Sequence, residues 1–369
     1  MRFLWLIINQ AKQNPLLTFI LLAGTVLRLV LTTPGYYYPT GDELLFGEAV
    51  NMVFRKTLAL EDQYLGYPPL VPWTMLVGLL SVFLPFAWAK TLILHIDEIY
   101  FLVFPYIAAS AGVIFVISKL AKFNKLTTIK IFLAFLWLSL IISGCLAVST
   151  FGGAFQRDIL GLNWINALYW GRYLTAIIGG AVILLTYLVS LSLFNKKLLA
   201  LLAAAFVAFN YRLILSSHVG LPDMYNVFYL LIALLAISKL MQKPDYKHYL
   251  ITFISLAAFF LVKYQPHVLV PFFIAHLTIS LRGSKGFAVF IKHFFAKKVI
   301  VSGLIGAIII LISHYYHFQN WERVMEINAY EGIKYGFGRN IFDIYTISYL
   351  YHVAIGPWLS LAAIGGLII

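Results

Sequence analysis

Cysteine occurs once, at Cys145, so the chain can form no intrachain disulfide and no cysteine-based metal cluster. Charge is scarce as well: Asp, Glu, Lys and Arg make up 11% of the residues, and only 14 of the 369 residues are acidic. No stretch has the glycine spacing of a nucleotide-binding loop, none is of low complexity, and none repeats another. No cleavable signal is evident, because the first apolar run continues into the body of the sequence. A chain this poor in charge is too apolar for a water-soluble fold.

What is abundant is apolar surface: 62% of residues are hydrophobic, 17% are aromatic, and the mean hydropathy is +0.89. Runs long enough to cross about 30 Å of hydrocarbon, at about 1.5 Å per helical residue, recur throughout, and helices satisfy their own backbone groups there. The expected fold is therefore all-α, a polytopic membrane helix bundle. Spans are predicted near 14–33, 98–118, 129–149, 170–193, 198–216, 222–241, 249–264, 266–281, 299–315 and 352–369. One transmembrane domain over 1–369 is expected; because it stops inside an apolar run at Ile369, it reads as a C-terminally incomplete version of a longer protein.

The net charge of +13 is spread over short loops between spans, which points to membrane topology and not to nucleic acid. Placing Arg2 and Lys12 in the cytoplasm also places Lys119 to Lys130, Lys196, Lys197, Lys239 to Lys247 and Arg282 to Lys298 there. The same arrangement leaves only Asp245 of the 14 acidic residues on the cytoplasmic side. It requires the apolar segment 67–86 to be re-entrant or interfacial, with Pro68, Pro69 and Pro72 bending its start. Three segments, 34–97, 150–169 and 316–351, then lie outside.

The first of these carries Asp42 and Glu43 behind the aromatic turn PGYYYPTG. A helix is predicted just after them, lying at the interface with Leu44, Leu45, Ala49, Val50, Met52 and Val53 on its apolar side and Glu48, Asn51, Arg55 and Lys56 largely off it. Asp42 and Glu43 read either as an ordinary solvated loop or as a carboxylate held for general-base work. Asp223, in SSHVGLPDM, reads as a helix cap or as a second acidic site together with His218. Arg28, Arg172, Arg212 and Lys263 fall at the same ends of predicted spans, with His218 and His267 near that level. One such cation can snorkel, whereas four from different helices suit a cradle for a phosphate. A divalent cation, if one is held, would draw on Asp42 and Asp223. The aromatic and polar segment 316–351 suits either sugar stacking or an interfacial belt.

Taken in order, TGDELLFGEAV, YPPL, WGRYLTAIIGGAVILLTYLVSLSLFNKKLLALLAAAFVAFN, SSHVGLPDM and AAFFLVKYQPHVLVPF resemble the polyprenyl-phosphate-sugar glycosyltransferases of the GT-C fold. The protein O-mannosyltransferase and aminoarabinose transferase groups are the most similar, and the likeness covers most of 20–280. The resemblance implies Asp42 as catalytic base with Glu43 beside it, Asp223 as a second acidic residue, and Lys263 and Arg172 at the donor phosphate, assisted by Arg28 or Arg212. It also implies a polyprenyl-phosphate sugar as donor, a protein or glycolipid as acceptor, and surrounding membrane lipid. The expected location is a prokaryotic plasma membrane with the site on its outer face. The spans at 98–149, the smaller number of helices and the lack of a soluble C-terminal domain depart from that family. The competing reading is a transporter or flippase for lipid-linked or anionic substrates, which would line a midplane cavity with Arg and Lys.

Overall fold

A computed structural model describes residues 14–30, 32, 44–56, 58–60, 69–94, 125–150, 164–219, 222–263, 268–282 and 286–326. Among the described residues the structure is all-helical, built from runs rich in Leu, Ile, Ala and Phe. The chain packs as two units, residues 1–61 with 67–314, and residues 62–66 with 315–369. Four helices, Leu70–Thr91, Leu168–Phe194, Pro222–Gln242 and Phe287–Ser313, are long and apolar enough to cross a membrane. A bent pair within 197–218 makes a fifth if counted as one span, so the chain is a multi-pass α-helical membrane protein.

In the larger unit the helices are α1 (Pro15–Leu29), α2 (Leu44–Arg55), α3 (Leu70–Gly78), α4 (Leu84–Leu94), α5 (Lys125–Thr150) and α6 (Trp164–Phe194). They continue as α7 (Lys197–Phe209), α8 (Tyr211–His218), α9 (Pro222–Gln242), α10 (Tyr246–Lys263), α11 (Leu269–Arg282), α12 (Phe287–Phe294) and α13 (Lys297–Ser313). Small residues let α6 approach its neighbours. A Cβ added at Gly24 of α1 would come within 2.5 Å of Ile183 Cδ1, and one at Gly180 within 2.6 Å of Thr25 Oγ1. Leu17 and Ile20 complete the seam against Tyr187, Ala200 and Leu201.

These contacts fix direction. The α1 sequence runs from Leu17 near Tyr187 to Thr25 near Gly180, antiparallel to α6. Thr175 meets Tyr225 and Ser192 meets Ser238, so α9 runs parallel to α6. Tyr249 meets His276 while Phe253 meets Phe272, so α10 and α11 are antiparallel. Lys298 reaches the Pro244 carbonyl and Gly306 packs on Phe253, so α13 runs parallel to α10. One end of the bundle thus collects the end of α1, the start of α6, the α8 to α9 junction and the end of α10. We call it the arginine end. The opposite, lysine end carries Lys196, Lys197, Lys239, Lys243, Lys247, Lys297 and Lys298.

The segment expected to be bent is instead one unbroken helix, formed by α3, a π-helical segment (Leu79–Phe83) and α4. Pro69 caps it and Pro72 sits in its first turn, where backbone N–H groups have no helical acceptor, so the prolines start the helix instead of breaking it. Its position is offset, however. Thr74, in its second turn, bonds Tyr229 two turns into α9, then Gly78 meets Leu174 and Phe83 meets Trp170. The helix therefore begins partway along the bundle and runs toward the arginine end.

In the smaller unit a short helix, α14 (Tyr315–Gln319), is followed by helical residues 321–326. Phe318 stacks on Trp321 with ring centroids 6.3 Å apart, and Arg323 pairs with Glu326 at 2.8 Å. The rest of 316–351, and the predicted spans 98–118 and 352–369, lie outside the described residues.

Candidate functional site

The arginine end is assembled around a broken helix. The chain bends by 52° between α7 and α8, at Asn210. The last carbonyls of α7 lose their helical partners there, and a buried helix end requires substitutes. Arg28 supplies them: Nη1 donates to the Gly24 and Ala208 carbonyls, each at 2.8 Å, and Nη2 donates to the Val207 carbonyl at 2.7 Å. The residue is fully buried. Across the break, Asn210 Oδ1 accepts from the Leu213 N–H at 3.1 Å and caps α8.

The sequence reading has Arg28 assist at a donor phosphate; the structure shows it bonded to backbone. Its terminal nitrogens are spent on backbone carbonyls, so it closes α7 and ties α1 to it; a phosphate would have to displace those bonds. His218 is likewise a packing residue, buried with Nε2 at 2.9 Å from the Leu27 carbonyl. That contact requires an Nε2–H donor and so holds α8 against α1. Gly179 permits the junction, because a Cβ there would come within 2.5 Å of Ser217 Oγ and 2.8 Å of Arg28 Cδ.

Arg172 is the second fully buried arginine, one third of the way along α6. Its stripe continues through Thr175, whose hydroxyl donates to the Gly171 carbonyl at 2.8 Å and lies 3.3 Å from Tyr225 Oη. Thr74 and Tyr229, 3.0 Å apart, extend this seam of hydroxyls onto α3. Arg212 and Asp223 are exposed, in the first turns of α8 and α9. Lys263 closes α10 at the same end, with its side chain outside what the structure describes. Arg172, Arg212, Asp223 and Lys263 are thus brought to one end by four different helices. Asp42, Glu43 and His267 lie outside the described residues.

Helix α2 forms where the sequence predicts it, but one of its faces differs. Ala49, Val50 and Met52 are buried as expected; Glu48, expected off the apolar side, is fully buried too. Arg55 Nη2 lies 2.5 Å from Glu48 Oε1, and Asn51 Nδ2 lies 3.5 Å from Oε2. A buried carboxylate requires such partners. Sequence reasoning missed this group by sorting each residue by polarity alone. Positions 48, 51 and 55 fall at i, i+3 and i+7, which was the available signal: a polar stripe one helix face wide. Helix α2 contacts α6, and its Ala49 and Val50 line one small cavity with Trp170, Gly171 and Leu174, the residues that flank Arg172 on α6.

At the lysine end one acid stands among the cations. The His248 backbone N–H donates to Asp245 Oδ1 at 2.9 Å and the ring Nδ1 lies 2.6 Å from it, which holds the Asp245 carboxyl below the usual carboxylate range. Among the described residues no three of His, Cys, Asp and Glu converge as metal ligands. Family models, curated proteins and solved structures were compared with the chain, and none matches it.

Proposed function

We propose that the chain is a GT-C-type membrane glycosyltransferase, which takes a sugar from a polyprenyl phosphate and moves it to an acceptor hydroxyl on the non-cytoplasmic face. The observation that carries this reading is the contact of α2 with α6, where Ala49 and Val50 line one small cavity with residues 170, 171 and 174. The helix that directly follows Asp42 and Glu43 in sequence thereby adjoins the stretch holding Arg172. Acid from one segment and cations from the ends of α6, α8 and α10 are the two groups such a transfer needs. Asp42 would accept the proton of the acceptor hydroxyl, whose oxygen attacks the anomeric carbon as the bond to the phosphate oxygen breaks. The electron pair leaves with polyprenyl phosphate, where Arg172, Lys263 and Arg212 would stabilise the developing charge. A single displacement inverts the anomeric centre. Protein and glycolipid hydroxyls both satisfy this chemistry as acceptors.

The break between α7 and α8 favours the second reading, a transporter or flippase, because half-helix ends commonly bind transported anions and cations. Here both ends are already filled by the protein, α7 by Arg28 and α8 by Asn210. A transport site would need them open.

The deciding experiment measures sugar transfer from a polyprenyl-phosphate donor by the purified protein. Asp42→Asn is expected to lower turnover by about 10²-fold or more, the scale of lost general-base catalysis, with donor binding retained. Lys263→Gln is expected to lower turnover and donor affinity together. Equal turnover in the parent and Asp42→Asn would remove the base, and donor translocation without sugar release would replace the reading with transport.

A further inference from the structure

Residues 315–326, which follow α13 and include α14, sort by exposure into three faces at helical spacing. His317 and Val324 are buried and Asn320 is half-buried, at i, i+7 and i+3. Phe318, Trp321 and Met325 repeat that spacing one residue further on, and are 51%, 53% and 51% exposed. Gln319, Glu322, Arg323 and Glu326 come next, at i, i+3, i+4 and i+7, and all are exposed. A surface helix of a water-soluble protein has one apolar face turned inward and one polar face turned to water. Here an exposed apolar face, with the rings of Phe318 and Trp321 stacked along it, stands between those two.

Such a face needs a cover, since each of its side chains left in water forgoes part of the about 1.5–3 kcal/mol that full burial gives. Chain continuity says what lies nearest. Helix α13 ends at Ser313, at the arginine end, where the His314 ring lies 6.5 Å from that of Phe260 near the end of α10. It belongs to a stretch long and apolar enough to cross a membrane, and its exposed Leu304, Ile308, Leu311 and Ile312 form the outer face of that span. Successive Cα atoms are about 3.8 Å apart, so Tyr315 begins at the level where the span leaves the hydrocarbon. Trp and Tyr are favoured at that level. Two acids, Glu322 and Glu326, stand against one arginine, and Arg323 pairs with Glu326 at 2.8 Å, so the wet face offers an anionic surface no net attraction. A sugar site would set hydrogen-bonding groups beside the stacked rings, whereas the polar side chains here occupy a separate face.

We propose that residues 315–326 form an interfacial helix that lies in the plane of the membrane surface and docks on lipid of zwitterionic or uncharged headgroup. Phe318, Trp321 and Met325 enter the boundary between headgroups and acyl chains, while Gln319, Glu322, Arg323 and Glu326 face water. The inference rests on exposure, spacing and the end of α13, and it stands apart from the glycosyl-transfer reading.

Nitroxide spin labels test this in the full-length protein carrying Cys145→Ser, reconstituted in phosphatidylcholine vesicles. Labels at Phe318→Cys, Trp321→Cys and Met325→Cys are expected to collide with oxygen, which concentrates in hydrocarbon, several-fold more than with a water-soluble nickel chelate. At Gln319→Cys, Glu322→Cys and Glu326→Cys the preference should reverse. An equal mixture of phosphatidylcholine with anionic phosphatidylglycerol should draw none of the labels deeper. Each label replaces an exposed side chain, and a second measurement needs no cysteine: phosphatidylcholine brominated along its acyl chains should quench a larger fraction of the tryptophan fluorescence in the parent than in Trp321→Phe. Equal nickel access on both faces, exclusion of both reagents from the apolar face, protection of position 321 by soluble methyl glucoside, deeper labels with phosphatidylglycerol, or equal quenching of the parent and Trp321→Phe would each overturn the proposal.

Discussion

At the lysine end, Lys196, Lys197, Lys239, Lys243, Lys247 and Lys292 are all exposed, and the ion pair between Lys243 and Asp245 spans 3.7 Å at the surface. At the arginine end, Arg28 and Arg172 are fully buried, and so is Glu48. The two ends therefore use charge for different purposes. Exposed lysines keep their hydration and mark which side of a membrane a loop prefers, and pairs among them contribute little to stability. A buried guanidinium loses its hydration and must be given acceptors, which Arg28 finds in the carbonyls of α1 and α7. Mutation should affect the two ends unequally.

The largest effect is expected at Arg28. Replacing it with Met leaves the Val207 and Ala208 carbonyls of α7 without their donors, and should destabilise the protein by roughly 2–4 kcal/mol, given that hydrogen bonds to charged groups contribute about 1.5–3 each. Thermal unfolding in detergent measures this, and an unchanged midpoint would mean that the guanidinium is not the closure of α7. A smaller effect is expected at Gly179, where valine must displace Ser217 or Arg28; overpacking of this kind costs about 1–3 kcal/mol. If Gly179→Val and Arg28→Met act on one junction, the double variant should lose less than the two single losses added together.

The smallest effect belongs to the lysine end. Asp245 has its carboxyl held below the usual range by His248, so its folded pKa lies below its unfolded one. Its stabilising contribution is then present above the unfolded value, near 3.9, and fades as the pH falls through the folded value. Asp245→Asn should flatten that part of the acid stability curve and leave the midpoint at neutral pH nearly unaltered. A large loss at neutral pH would break the contrast between the two ends.

Much of this contrast was legible in the sequence. The predicted spans 170–193, 222–241 and 299–315 coincide with α6, α9 and α13, because hydropathy over some twenty residues reports a helix whatever its neighbours. The alternating directions of the helices also agree with the loop charges. Partners chosen in three dimensions were not legible. Arg28 resembles any cation near a span end until Asn210 is seen to break the following helix nearly two hundred residues later. Glu48 looked solvated because a polar stripe can face inward as readily as outward. Pro69 and Pro72 were expected to bend a segment that they merely begin, since the same residue serves both purposes depending on its place in the first turn. Asp42 and Glu43, the residues on which the sequence reading depends most, lie outside the described residues.

The central claim is that the arginine end faces away from the cytoplasm and the lysine end faces into it. Single cysteines placed at Arg212 and Asp223, and at Lys196 and Lys292, in a variant carrying Cys145→Ser, can be exposed to a membrane-impermeant thiol reagent in intact cells. All four positions are exposed in the structure. The account predicts labelling at 212 and 223 before lysis, and at 196 and 292 only afterwards. Labelling of Lys196→Cys or Lys292→Cys in intact cells, with Asp223→Cys protected, would contradict it.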